Sequence, residues 1–135
     1  MATVLVVDDD LLIRLFLKEL LQQDGHRTLM AENGLEALAR MEEEPCDLVL
    51  MDIHMPVMDG YQTTQRIKAG GSKANFIPVI FLTSAQSDLE RARCLECGGD
   101  DFINKPPNPT ILIARIQSWL QRAKLANLST RTVGM

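Results

Sequence analysis

Four short stretches of this sequence carry side chains that could act together on one anionic group: Asp8-Asp9-Asp10, Asp52, Thr83-Ser84 and Lys105. Asp8, Asp9 and Asp52 would repel one another at close range, so such a cluster either raises its own pKa values or holds a cation. Hard oxygen donors without a His or Cys cluster select a Mg2+-like ion, which uses one or two carboxylates and keeps several waters. The Lys105 ammonium and the Thr83 hydroxyl complete a set suited to a transferred phosphoryl group. The cations neutralise its oxygens, while a carboxylate attacks in line and becomes an acyl phosphate. Neither G-x-x-x-x-G-K-[ST] nor G-x-G-x-x-G occurs, which weighs against a nucleotide-binding module.

Residues so far apart in sequence need a fold that gathers them. Thr3–Val7 (TVLVV) is an unbroken apolar run, the mark of a strand covered on both faces. The spacing of Leu12, Phe16, Leu17, Leu20 and Leu21 predicts a helix over Leu11–Gln23, capped by Asp10 and stopped by Gly25. Arg27–Ala31 reads as a weaker strand near an edge, followed by Asn33-Gly34 and a helix carrying Leu35, Leu38 and Met41. The plan then repeats: strands over 47–51, 78–82 and Asp101–Asn104, and helices over 60–69, 89–97 and 110–126. Gly70-Gly71 and Gly98-Gly99 close two of these helices. Five βα units imply a doubly wound α/β fold with a five-stranded parallel sheet and five helices, joined by right-handed crossovers. Two strand orders satisfy that pattern, and in both the ligand lies beyond the carboxyl ends of the strands. Residues 8–10, 52, 83, 84 and 105 all fall there.

Composition narrows the classes further. One domain is expected from 135 residues, of which 46% are hydrophobic and 24% charged, so disorder and collagen are excluded. The net charge of −4 leaves no basic excess for a phosphate backbone, so direct nucleic-acid binding is not expected. Three cysteines, Cys46, Cys94 and Cys97, are an odd number, which argues against a disulfide framework and for a reducing, cytoplasmic setting. Cys94-Leu-Glu-Cys97 has no second pair and no nearby His, so two helical cysteines beside the core are expected rather than a zinc site. No apolar run approaches the ~20 residues of a membrane span, and no signal peptide is expected, because Met1-Ala2-Thr3-Val4 carries no basic region and runs into three aspartates. One folded unit over residues 1–126 is expected, with 127–135 as a tail or linker stub.

Val6-Val7-Asp8-Asp9, Asp52-Ile53-His54-Met55-Pro56-Val57-Met58-Asp59-Gly60, Phe81-Leu82-Thr83-Ser84 and Lys105-Pro106 together resemble the receiver domain of two-component response regulators, such as single-domain chemotaxis regulators. The likeness runs from about Val4 to Ala126, in order and spacing. It implies the flavodoxin-like strand order 2-1-3-4-5, for which the family is a standing example. It implies that Asp52 is the phosphoacceptor, receiving its group from a sensor histidine kinase or a phosphotransfer protein of a bacterial signalling system. Asp9, Asp52 and the His54 backbone carbonyl would hold Mg2+, or Mn2+ in its place, with Asp8 acting through a water. Lys105, Thr83 and Ser84 would line the phosphoryl pocket, and Phe102 occupies the family's aromatic switch position. Pro56, Gly60 and Pro106 would shape the loops. Phosphorylation would change the surface of the fourth helix, fifth strand and fifth helix, where Ile111, Ile113 and Trp119 offer contacts for a homodimer or partner.

Simpler readings account for some of these residues. Asp10 is explained as a helix cap. The His54 side chain is expected to face outward, and Ala85, two residues after Thr83, cannot orient a water. Pro107 departs from the aromatic usually found after Lys-Pro. A catalytic rival is a Mg2+-dependent aspartyl-phosphate phosphatase or phosphotransferase acting on small molecules, but His54 stands where it needs a second carboxylate. A pseudo-receiver would lack part of the set Asp9, Asp52, Thr83 and Lys105, which is complete here.

Overall fold

The computed structural model describes residues 1–70, 76–84 and 87–133, with side chains to residue 128. Its elements run β1 (Thr3–Val7), α1 (Leu11–Gln23), β2 (Arg27–Ala31), α2 (Gly34–Glu43), β3 (Leu48–Asp52), α3 (Gly60–Lys68), β4 (Val79–Thr83), α4 (Asp88–Glu96), β5 (Asp101–Asn104) and α5 (Pro109–Val133). The five strands are parallel, in the order β2-β1-β3-β4-β5. The apolar runs of β1, β3 and β4 occupy the three central positions, where helices cover both faces. β2, with an exposed Arg27, takes an edge.

Alternate residues of each strand feed two cores. Leu5, Val7, Val49, Met51, Val79 and Phe81 meet Ala37, Tyr61, Ile67 and Cys94 on the α2–α3–α4 side. Val4, Val6, Leu48, Leu50, Ile80 and Leu82 meet Leu17, Leu21, Leu112 and Ile116 on the α1–α5 side. Cys46, Cys94 and Cys97 are buried free thiols, so the cysteines are packing residues. Burial pushes the Cys46 thiol up to about 12 and Cys94 to about 11, which leaves both unreactive.

Helix ends follow local chemistry. Asp10 accepts from the Leu12 amide, Asn33 from Glu36, and Asp59 forms a capping box with Gln62. Gly25, at φ +82, takes the left-handed position after α1.

Two expectations need correction. Leu12 and Phe16 lie outside the core, 74% and 40% exposed, because Leu17 and Leu21 set the inner stripe of α1 and Arg14 falls on it instead. The last helix does not stop at Ala126 but continues through Val133. Residues 123–128 (AKLANL) contain strong helix formers and no breaker, and Asn127 is tied to both the amide and the carbonyl of Phe76. Ala85, Gly71 and Met135 lie outside the described residues.

Candidate functional site

Hydrogen-bonded pairing of β1 ends at Val7, and the next residue is placed by a further bond from the Asp8 amide to the Ala31 carbonyl, 3.1 Å. That turns the Asp8 side chain inward, where it is 2% exposed, while Asp9 stays at the surface. Asp52 closes β3, one step from Met51, whose register partner across β1 is Val7. The two strand ends therefore deliver their acids side by side. Carboxylate oxygens of Asp8, Asp9 and Asp52 lie within 4.8 Å of one another, the donor set that a small hard cation takes.

Lys105 follows β5 and enters from the other side. Its amide donates to the Thr83 carbonyl at 2.9 Å, and the Lys105-Pro106 peptide is cis. Its Nζ lies 2.6 Å from Asp8 Oδ2 and 3.0 Å from Asp52 Oδ1. The remaining oxygen of Asp8 accepts from the Asp10 amide, and Asp52 Oδ1 also accepts from the Ile53 amide. Burial raises the Asp52 carboxyl above its ordinary value, and Asp8 and Asp9 add to the rise while Lys105 opposes it. Burial pulls the Lys105 ammonium down, but its hydrogen bonds to Asp8 and Asp52 outweigh that and hold it above the usual lysine range.

The other residues singled out above take varied positions. Thr83 ends β4, is 3% exposed, and follows Leu82, the register partner of Asp52. Ser84 is exposed beside it. The His54 side chain is 79% exposed, with Nε2 3.5 Å from Glu90 of α4. Phe102 is half-buried against the α2–α3–α4 core, with the Arg91 guanidinium 5.5 Å above its ring. Pro106 is exposed and Pro107 buried. On α5, Ile111 is exposed, whereas Ile113 and Trp119 are half-buried.

The loop after Asp52 is held tightly. Met58 donates to the Pro56 carbonyl at 2.8 Å across Val57, whose φ is +72, a three-residue turn on a β-branched residue. Gly60 donates to the Ile53 carbonyl at 2.7 Å, and a Cβ on it would lie 2.1 Å from the Asp52 carbonyl oxygen. Arg14 went unnoticed in the sequence. It is 6% exposed, and its Nη1 donates to the Asp8 carbonyl at 2.6 Å. A basic residue three positions before Leu17, on the stripe of Leu17 and Leu21, was the available signal.

Compared with known families, residues 4–117 match the response regulator receiver domain. The chain belongs to that family. Regulatory protein VanRc of Enterococcus gallinarum is 35% identical to it over 127 residues, covering 94% of the chain and 53% of that protein. Transcriptional regulatory protein CpxR of Klebsiella pneumoniae is 39% identical, covering 91% of the chain and 51% of CpxR. This receiver domain thus spans about half the length of the relatives it matches. Among solved structures, the chemotaxis protein CheY4 of Vibrio cholerae superposes with a TM-score of 0.81 at 32% identity, covering 87% of the chain and 98% of CheY4. The receiver is thereby a signalling module of two-component regulation rather than an enzyme of the ordinary kind. No helix among the described residues is long and apolar enough to cross a membrane.

Proposed function

We propose that this receiver domain is a phosphorylation-controlled switch whose acceptor is Asp52. The observation that carries the reading is the Lys105 ammonium seated between Asp8 and Asp52, with the Asp9 carboxylate in the same cluster. Three acids around one ammonium leave net negative charge, and their oxygens suit a hard dication. Asp9, Asp52 and the His54 backbone carbonyl would hold Mg2+, or Mn2+ in its place, with Asp8 acting through a water. Bound there, the ion supplies charge neutralisation for phosphoryl oxygens.

In the transfer, an Asp52 carboxylate oxygen attacks the phosphorus of a phosphohistidine on a sensor kinase or phosphotransfer protein. The P–O bond forms as the P–N bond breaks, and the departing imidazole nitrogen takes up a proton. Lys105 leaves Asp52 to pair with a phosphoryl oxygen, and the Thr83 hydroxyl takes another, with Ser84 bordering the pocket. Both residues stand at the ends of neighbouring strands, β4 and β5, so their movement bears on the surface of α4, β5 and α5. Phe102 and the exposed Ile111 belong to that surface, which would meet an output domain, a partner or a second copy. In this reading residues 1–126 form the receiver unit, with 127–135 as its C-terminal tail or linker stub, and the setting is cytoplasmic.

The test is stoichiometry. One phosphate gained with acetyl phosphate and Mg2+, and none in Asp52→Asn, supports the switch. Steady-state turnover of small phosphate esters would favour the phosphatase reading instead.

A further inference from the structure

We propose that Arg14 is a positioning residue for the Mg2+ that the receiver reading places at this site. It sets the peptide between Asp8 and Asp9 so that their carboxylates meet at one point. The inference rests on that reading and adds a residue to it. Ladder pairing of β1 stops at Val7, so the carbonyl of Asp8 is the first one beyond the sheet bonds. That carbonyl belongs to the peptide unit joining the two acids, and its orientation fixes where each side chain leaves the chain. Arg14 Nη1 donates to it at 2.6 Å, a short contact of the charge-assisted kind. Nη2 of the same guanidinium lies 3.6 Å from Glu32, just past the end of β2.

The fork therefore links the ends of two neighbouring strands. α1 presents it from the inner stripe of Leu17 and Leu21, with the side chain 8% exposed. A buried guanidinium is costly unless its donors are used, and here its full ion-pair partner, Glu32, is itself 66% exposed. A hydrophobic residue at this position would pack without that cost, so the cation is explained by what it holds.

Charge alone and positioning predict opposite signs. Arg14 is a cation close to a cation site, so a purely Coulombic role means that removing it tightens Mg2+ binding. A positioning role means that removing it weakens binding, because groups that orient metal ligands from outside typically govern affinity by 10- to 100-fold. The deciding experiment is calorimetric Mg2+ titration of the wild type, Arg14→Met and Arg14→Lys. Arg14→Met keeps the apolar stem and loses every donor, and about tenfold weaker binding is expected. Arg14→Lys keeps the charge, but one ammonium cannot span both Asp8 and Glu32, and about threefold weaker binding is expected.

Affinity in Arg14→Met equal to or tighter than wild type overturns the proposal, even if that variant has lost stability. Should Arg14→Met not fold, unchanged affinity in Arg14→Lys overturns it alone. A wild type that takes up no Mg2+ would instead remove the receiver reading on which the inference stands.

Discussion

Lys105 Nζ is 2.6 Å from Asp8 and 3.0 Å from Asp52, although 97 and 53 residues separate it from them. The ammonium is the nearest counter-charge to a carboxyl that burial and two other acids disfavour in its charged form. Removing it leaves that repulsion uncompensated. In Lys105→Met, the Asp52 carboxyl should titrate higher than in wild type, and phosphorylation by acetyl phosphate should slow by at least about tenfold. Carboxyl-detected NMR titration and phosphorylation kinetics check the two parts.

The pH dependence of stability has a definite sign at Asp52. Its folded-state pKa lies above the ordinary 3.8, so folding favours its protonated form. Its contribution is fully present below pH 3.8 and is lost as pH rises through the folded-state value. At neutral pH the ionised side chain therefore works against the fold. Asp52→Asn should be more stable than wild type by about 1 kcal/mol at pH 7, with the advantage shrinking towards pH 3. Urea melts at the two pH values measure it. Added Mg2+ should move the wild-type Asp52 titration back down, since an opposite charge favours the carboxylate.

Gly60 meets the backbone rather than a movable side chain. Its missing Cβ would lie 2.1 Å from the Asp52 carbonyl oxygen and 3.0 Å from Ile53 Cα. Gly60→Ala must push the start of α3 off the end of β3. A loss of about 3 kcal/mol is expected, together with slower phosphorylation as Asp52 shifts. Thermal melts and acetyl phosphate kinetics on the same sample check both.

Val57 holds φ at +72 while 73% exposed, so its side chain earns little packing for a conformation that disfavours β-branched residues. Val57→Gly should gain about 0.5–1 kcal/mol, the relief of strain less the extra entropy glycine loses on folding. Chemical denaturation measures this directly, and no change in the rate of Asp52 phosphorylation is expected.

Much of the architecture was legible because strand burial writes itself in the sequence. The unbroken run of β1 marked a strand covered on both faces, and β2 was legible as a weaker strand near an edge. The acids and Lys105 were legible as a group once five βα units placed them at one rim of the sheet. Strand order itself came from the resemblance, since two windings fit the same alternation. Helix faces were read less well. In α1 eight of thirteen positions are apolar and they lie on more than one face, so leucine spacing could not tell the inner stripe from the outer one, and Arg14 was passed over. The end of α5 was missed because residues 127–133 carry no apolar period, whereas the bond from Phe76 to Asn127 is a contact between distant parts of the chain. The turn at Val57 left no mark, because a left-handed valine contradicts its own propensity.

Intact-mass analysis of the purified chain after incubation with acetyl phosphate and Mg2+ bears most directly on the central claim. Wild type should gain a single phosphate that is lost on chelation-free standing or in alkali, and Asp52→Asn should gain none. An unmodified wild type, or the same added mass in Asp52→Asn, would contradict the assignment of Asp52 as the acceptor.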